Sequence, residues 1–401
     1  MPSQPFQALA RVIEDVVEPG ATEVDASGVF PRKQVDALAR AGLLALTVPA
    51  EFGGGGGASG GGGRGGGLRE AAAVIRELGA VCGSTAMVVT MHYAATAALV
   101  ACAASEPEGG AAARQTLAAI GAGRHLSTLA FSETGSRSHF WAPLGTAVSE
   151  HGSTEPGDTV RLDASKSWVT SAGHADSYVW SSRPLQAAGP MTLWLVPADV
   201  AGLSVSGTFD GLGLRGNASA PMTADGLRVP RGAMLGADGG GLDLAMAAVL
   251  PVFLICTAAM SAGLLRRVAA ETAVHLQRTQ LKHLGQSLAQ QVQPRAQLAR
   301  LHIEADRTWA LIGDALTAVE QGRPDAQLLV LEVKAAAGEA AADAADLALR
   351  ACGGAAFRKE SVVERLFRDS RAARVMAPTT DALYDFIGRA LCGLPLLGDV
   401  A

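Results

Sequence analysis

Cysteine is sparse in this 401-residue chain: five residues, at 82, 102, 256, 352 and 392, never in a CxxC pair. That spacing excludes a disulfide framework and a thiolate zinc site, and it fits a reducing, cytoplasmic setting. Charge is also scarce. Charged residues make up 18% against 49% hydrophobic, too apolar for an intrinsically disordered chain. The 33 Lys and Arg are outnumbered by 38 Asp and Glu, for a net charge of −5, so no basic footprint points to a nucleic-acid partner. There is no GxSxG elbow, no GxGxxG opening a helix after a strand, no Walker loop and no HExxH. The eight histidines lack metal-ligand spacing, so no metal is expected. The N-terminus carries acids where a signal peptide needs a basic start and an apolar run, so secretion is not expected.

One long apolar run does occur. Leu244 to Leu265 holds 22 uncharged residues, the length of a bilayer span. Pro251, the small residues and the amphipathic segments downstream favour the central helix of a bundle, with no membrane partner.

Three textures follow one another. Residues 1–124 have helical apolar spacing, with Pro31 suited to a first helical turn and Val48-Pro49 expected to end the second helix. The glycine run Gly53–Gly67 reads as a loop, because a phosphate cradle needs an adjoining strand and fixed spacing. Residues 125–236 turn to short β-rich runs broken by Gly, Pro, Ser and Asp, the pattern of a compact antiparallel barrel or sandwich. Residues 237–401 are helical again, in four long segments at 241–282, 285–321, 324–352 and 360–392. The fold class is α+β: an N-terminal helical domain, a central β domain and a C-terminal four-helix bundle.

Five local patterns stand in that order. They are Pro49–Gly54 with Cys82–His92, then Ala130–His139 (AFSETGSRSH), Ser165–Val179 (SKSWVTSAGHADSYV), Gly211–Ala220 with Leu227–Gly236, and Ala351–Asp381. Together they resemble the acyl-CoA dehydrogenase superfamily of flavoproteins, over nearly the whole chain. The resemblance implies a bound FAD and a homodimer or homotetramer whose flavin sites are completed across subunits. It places Phe131 and Ser132, and Trp168, Val169 and Thr170, on the two strand-end segments that contact the isoalloxazine. Ser132 would bond the pyrimidine edge, Thr170 would lie near N5 and Trp168 would pack on the ring. Gly353, Gly354 and Thr379 match positions at the adenosine end, and Arg278 lies one turn before the family's pyrophosphate-binding arginine, where this chain has Leu281.

The departures bear on chemistry. The family's Tyr-Glu-Gly-Thr aligns with Met376, Ala377, Pro378 and Thr379, so the α-proton acceptor is replaced by alanine. Some relatives carry that acid on the first bundle helix; Val249–Phe253 has none, and lacks the family's arginine as well. Arg137 and His139 replace a glycine and an aspartate, and with Ser138 they are candidates for the substrate mouth. Three functions remain: oxidation of a carbon–carbon bond in a small-molecule or thioester-bound substrate with a non-standard base; oxygenation by reduced FMN or FAD supplied by a reductase, with Thr170 and His92 as catalytic residues; or a redox-neutral lyase or binding role, with Arg137 and His139 as acid and base. An electron-transfer protein or a flavin reductase is the expected redox partner.

Overall fold

The computed structural model describes residues 4–55, 67–105, 110–136, 139–150 and 158–397. Gly56–Gly63, Arg64 and two further glycines of the Gly-rich run, and the candidates Arg137 and Ser138, lie outside them. The helices that open the chain are α1 (Gln4–Val12), α2 (Glu18–Ser27), α3 (Arg32–Arg40), α4 (Leu68–Gly79), α5 (Gly83–Ser105) and α6 (Ala111–Gly121). Helix α3 does not run on to Pro49. It stops at Ala41 because Gly42 takes a left-handed φ of 73°, after which only short 3₁₀ turns follow.

The strands are β1 (Ser127–Ala130), β2 (Thr146–Ser149), β3 (Thr159–Val169), β4 (Ser177–Ser182), β5 (Thr192–Pro197), β6 (Leu203–Val205), β7 (Ala220–Pro230) and β8 (Met234–Leu235). They form two four-stranded sheets, ordered β1-β4-β5-β8 and β2-β3-β7-β6. The second is antiparallel throughout, whereas β1 pairs parallel to β4, a departure from an all-antiparallel reading. Tyr178, Trp180, Trp194 and Val196 of the first sheet share one buried core with Val160, Leu162, Met222, Leu227 and Val229 of the second. Two faces closing on one core make a sandwich.

Helices then return as α7 (Gly241–Leu244), a π turn, α8 (Leu250–Arg278), the small hairpin β9 (Gln280–Leu281) and β10 (Gln286–Ser287), α9 (Val292–Gln321) and α10 (Ala326–Cys352). The π turn at Ala245–Val249 lies just ahead of Pro251, whose missing N–H and ring disturb the preceding helical turn. The fourth expected segment is not one helix. It is α11 (Val362–Ser370), α12 (Ala372–Val375) and α13 (Thr380–Leu391), broken at the Met376–Thr379 turn.

Two helices, Gly83–Ala104 and Gly241–Arg278, are long and apolar enough to cross a membrane by length and composition; their most apolar windows are 72% and 67% buried within the protein. Close backbone packing between α4 and α8 accounts for a glycine on each. A Cβ on Gly79 would lie 2.6 Å from the Met260 carbonyl oxygen, and one on Gly263 would lie 2.0 Å from that of Arg76. These are core helices of the protein.

Contacts gather the chain into two compact units. The first comprises Met1–Ala71, Met87–Asp210 and Arg215–Phe253; the second comprises Ala72–Ala86, Gly211–Leu214 and Leu254–Ala401.

Candidate functional site

In the first unit, the site is built where β3 loses its regular pairing. Lys166 pairs with Met222 and Val169 with Ala220, so β3 carries one residue more than β7 across that interval, a β-bulge. Strict alternation from Val160 and Leu162 would turn Trp168 inward. The bulge reverses it: Val169 is buried, and the Trp168 side chain stands out, 69% exposed. Its indole meets Phe209 edge-on, with ring centroids 6.4 Å apart.

Trp168 (φ 56°), Ser171 (φ 62°) and Ala218 (φ 49°) are three of the four non-glycine residues with positive φ among the described residues. Bulky residues avoid that region, and strain of this kind collects at ligand sites. The Thr170 and Ser219 hydroxyls lie 3.0 Å apart, buried. Two hydroxyls need one proton between them, which leaves the second proton of the pair to donate elsewhere. The Ser171 hydroxyl is buried and has no partner among the described residues. An exposed aromatic face beside unused hydroxyl donors fits a flat ring with a polar rim.

The neighbouring segment is fixed against this one. Ser167 N–H donates to the Ser132 carbonyl at 2.9 Å, and Thr134 N–H to that of Ser165 at 3.2 Å. The Phe131 ring stacks on Phe140 at 6.4 Å. Phe131, Ser132, Trp168, Val169 and Thr170 are thus brought together. Two residues that sequence reasoning missed, Glu133 and Lys166, tie them. The Lys166 ammonium donates to Glu133 at 2.6 Å, and to the Ser181 carbonyl and hydroxyl at 2.7 and 2.8 Å. Glu133 in turn accepts from the N–H groups of Leu144 and Gly145. Burial pulls the Lys166 amine down to about 8, with Glu133 opposing the shift. The available signal was Lys166's inward place in the β3 alternation. Beside the pair lies a cleft of about 430 Å³ whose walls include Thr134, Asp163, Ser165 and Asp225. Its carboxylates do not suit a phosphate.

His92 is fully buried. Its Nδ1 accepts the Ser127 N–H at 3.1 Å, so Nε2 carries the proton and donates to the Leu44 carbonyl at 3.1 Å. Desolvation lowers its pKa to about 4. Both ring nitrogens are engaged with backbone, and the imidazole is a neutral tie between α5, the Leu43–Ala45 turn and β1. His139 is exposed, held by Nδ1 to the Ser136 carbonyl and edge-on to Trp141 at 5.0 Å.

The second unit carries the other candidates. Gly353 ends α10 with φ 62° and ψ −152°, a conformation essentially reserved to glycine, and a Cβ on Gly353 or Gly354 would meet no atom within 4 Å. Arg278 is exposed at the end of α8. An open glycine edge and an exposed guanidinium suit phosphate oxygens. Thr379 caps α13, its hydroxyl accepting the Ala382 N–H at 3.3 Å.

The turn before Thr379 is held by a lysine that sequence reasoning also missed. Lys334, buried in α10, donates to the Met376 carbonyl at 2.9 Å and the Pro378 carbonyl at 2.7 Å, the two that flank Ala377. Burial pulls its amine down to about 7. Lys334 precedes Gly353 by about 19 residues of helix, roughly 28 Å of rise. Thr379 and the Gly353–Gly354 pair are therefore not brought together at one end of a cofactor within one chain.

A helix–sheet–helix chain with a strained strand-end bay of this kind belongs with the flavin-binding dehydrogenases, and comparison with known proteins agrees. The N-terminal, middle and C-terminal domain models of acyl-CoA dehydrogenase match residues 5–107, 128–227 and 239–392. The human mitochondrial short-chain specific acyl-CoA dehydrogenase is 26% identical over 382 residues, covering 94% of this chain and 87% of that one. The butyryl-CoA dehydrogenase structure from Megasphaera elsdenii superposes with a TM-score of 0.86 at 19% identity, covering 98% and 99% of the two chains. FkbI, for biosynthesis of the methoxymalonyl extender unit of a polyketide, is 26% identical with a TM-score of 0.78, covering 98% and 100%. The chain belongs to the acyl-CoA dehydrogenase family. It is an oxidoreductase of that superfamily, whose members are FAD-dependent flavoproteins.

Proposed function

We propose that the chain is an FAD-dependent dehydrogenase of short acyl thioesters that works without a carboxylate at the family's acid position, and that it acts as a homo-oligomer. The observation that carries the reading is the bay of Trp168, Thr170 and Ser219, which keeps an exposed indole and a spare hydroxyl proton at the strand ends. Bound FAD supplies the hydride acceptor. Trp168 covers the ring system, Thr170 with Ser219 donates to its polar edge, and the backbone at Ser132 fixes the facing side. Gly353, Gly354 and Arg278 of a second copy of the chain would hold the phosphates.

His92 favours dehydrogenation over oxygenation. An imidazole with both nitrogens bonded to backbone is not free to support oxygen chemistry. The family resemblance to short-chain acyl-CoA dehydrogenases and to FkbI supports a short acyl group on a thioester. With Ala377 in place of the acid, the α-proton passes to water or a buffer base as the hydride passes to the flavin, and loss of a positioned base lowers the rate by roughly 10²–10⁴. The roughly 28 Å of helix rise from Lys334, which holds the Thr379 turn, to Gly353 supports a flavin site completed by a second copy of the chain.

The test is anaerobic mixing of the FAD-loaded protein with butyryl-CoA and with butyryl-loaded carrier protein. Slow bleaching of the visible flavin band, faster in concentrated basic buffer, is the expected result. No bleaching, together with a long-lived absorbing species when the reduced flavin meets oxygen, would replace this reading with oxygenation.

A further inference from the structure

We propose that the buried Glu133–Lys166 ion pair is a positioning device for the flavin bay: it holds the β3 bulge in the one register that turns Trp168 outward. The inference rests on the reading of that bay as the flavin site, and it assigns these two side chains a task neither performs by touching the ring.

A strand shifted by one residue exchanges its two faces, so an inward anchor close to a bulge decides which neighbours face out. Lys166 is such an anchor. Its side chain is fully buried, and its three N–H groups meet Glu133 Oε1, the Ser181 carbonyl and the Ser181 hydroxyl. An ammonium so satisfied cannot move outward without leaving the buried Glu133 carboxylate with no cation against it. With Lys166 fixed inward and Val169 paired to Ala220, the two residues between them must absorb the extra length, and Trp168 does so at φ 56°.

Glu133 closes the other side. It bridges to Lys166 across the β3 edge, while its second carboxylate oxygen takes the N–H groups of Leu144 and Gly145. Ser132, the residue before it, takes the Ser167 N–H, the residue after Lys166. One pair of charges therefore sets Ser132 and Trp168 at once. A left-handed aromatic residue persists only where its surroundings over-determine it, and here the ion pair is the over-determining contact.

Exchanging both charges at once strands neither ion, and a glutamine at 133 still accepts the Leu144 and Gly145 N–H groups, which separates positioning from folding. The variants are Glu133→Gln, Lys166→Met and the double Glu133→Gln/Lys166→Met, each compared with wild type for melting, FAD affinity and the shape of the visible flavin band. The expected result is a double variant that melts close to wild type yet binds FAD at least about tenfold more weakly, with a shifted band, because a tenfold loss needs only about 1.4 kcal/mol of misplaced contact. A double variant with wild-type FAD affinity and band shape overturns the proposal and leaves the bay intact. If the double variant does not fold, Glu133→Gln is titrated below its own melting temperature, where wild-type FAD affinity is again the overturning result. Wild-type protein that binds no FAD overturns the reading of the bay itself, and the inference with it.

Discussion

Trp168 and His92 are both ring-bearing residues in the quoted motifs, and the protein uses them in opposite ways. Trp168 is pushed into solvent by a bulge, while His92 is sealed between two backbone groups. Removing the Thr170 hydroxyl in Thr170→Val takes away one hydrogen bond of about 1 kcal/mol, so FAD should bind roughly fivefold more weakly in an equilibrium titration. For His92, His92→Phe leaves the Ser127 N–H and the Leu44 carbonyl unpaired in the core. The expected cost is about 2–4 kcal/mol by urea unfolding. The pH dependence has a definite sign. The folded value of about 4 lies below the ordinary 6.5, so on acidification the unfolded chain takes up the proton first. Stability is full above about 6.5 and falls as the pH drops towards 4, by up to about 3 kcal/mol from this group. His92→Phe should flatten that part of the profile.

At the scale of elements, the helical and β textures were legible because burial follows period: the α8 run and the Val160–Leu162 alternation can be read directly. What periodicity does not contain is an interruption. The bulge at Ser167–Trp168 arises from the pairing of β3 with β7, two segments some fifty residues apart, so no local pattern announces it. The fourth bundle segment is similar. Apolar spacing continues through residues 360–392, yet Pro378 and the carbonyls held by Lys334 end one helix and start another. In Lys334→Met those carbonyls lose their donors. Hydrogen exchange should then speed up in the first turns of α13 while α9 stays protected. The same restraint limits the Ala377 position. Ala377→Glu introduces an acid into a turn fixed on both sides by Lys334 and constrained by Pro378, and stopped-flow bleaching with butyryl-CoA should show no recovery of a fast dehydrogenase. The motif matches identified which segments form the bay, but not Glu133 and Lys166, because sequence does not show that two opposite charges will be buried against each other.

At the scale of the whole molecule, helices, sandwich and helices follow the order read from the sequence, whereas the compact units do not. Contacts place Ala72–Ala86 with the C-terminal helices, so the chain crosses between units more than once. The proposed sharing of the flavin site between copies would make cofactor retention depend on protein concentration. Gel filtration at falling concentration should show flavin leaving in step with dissociation. The length of α10 has one more outcome. Because the Thr379 turn and the Gly353 edge sit near opposite ends of that helix, a lesion at one leaves the other undamaged in the same polypeptide. Two impaired preparations, Gly353→Val and Thr379→Val, when unfolded together and refolded as a mixture, should regain part of the wild-type turnover through hybrid assemblies, each pairing one sound glycine edge with one sound Thr379 turn.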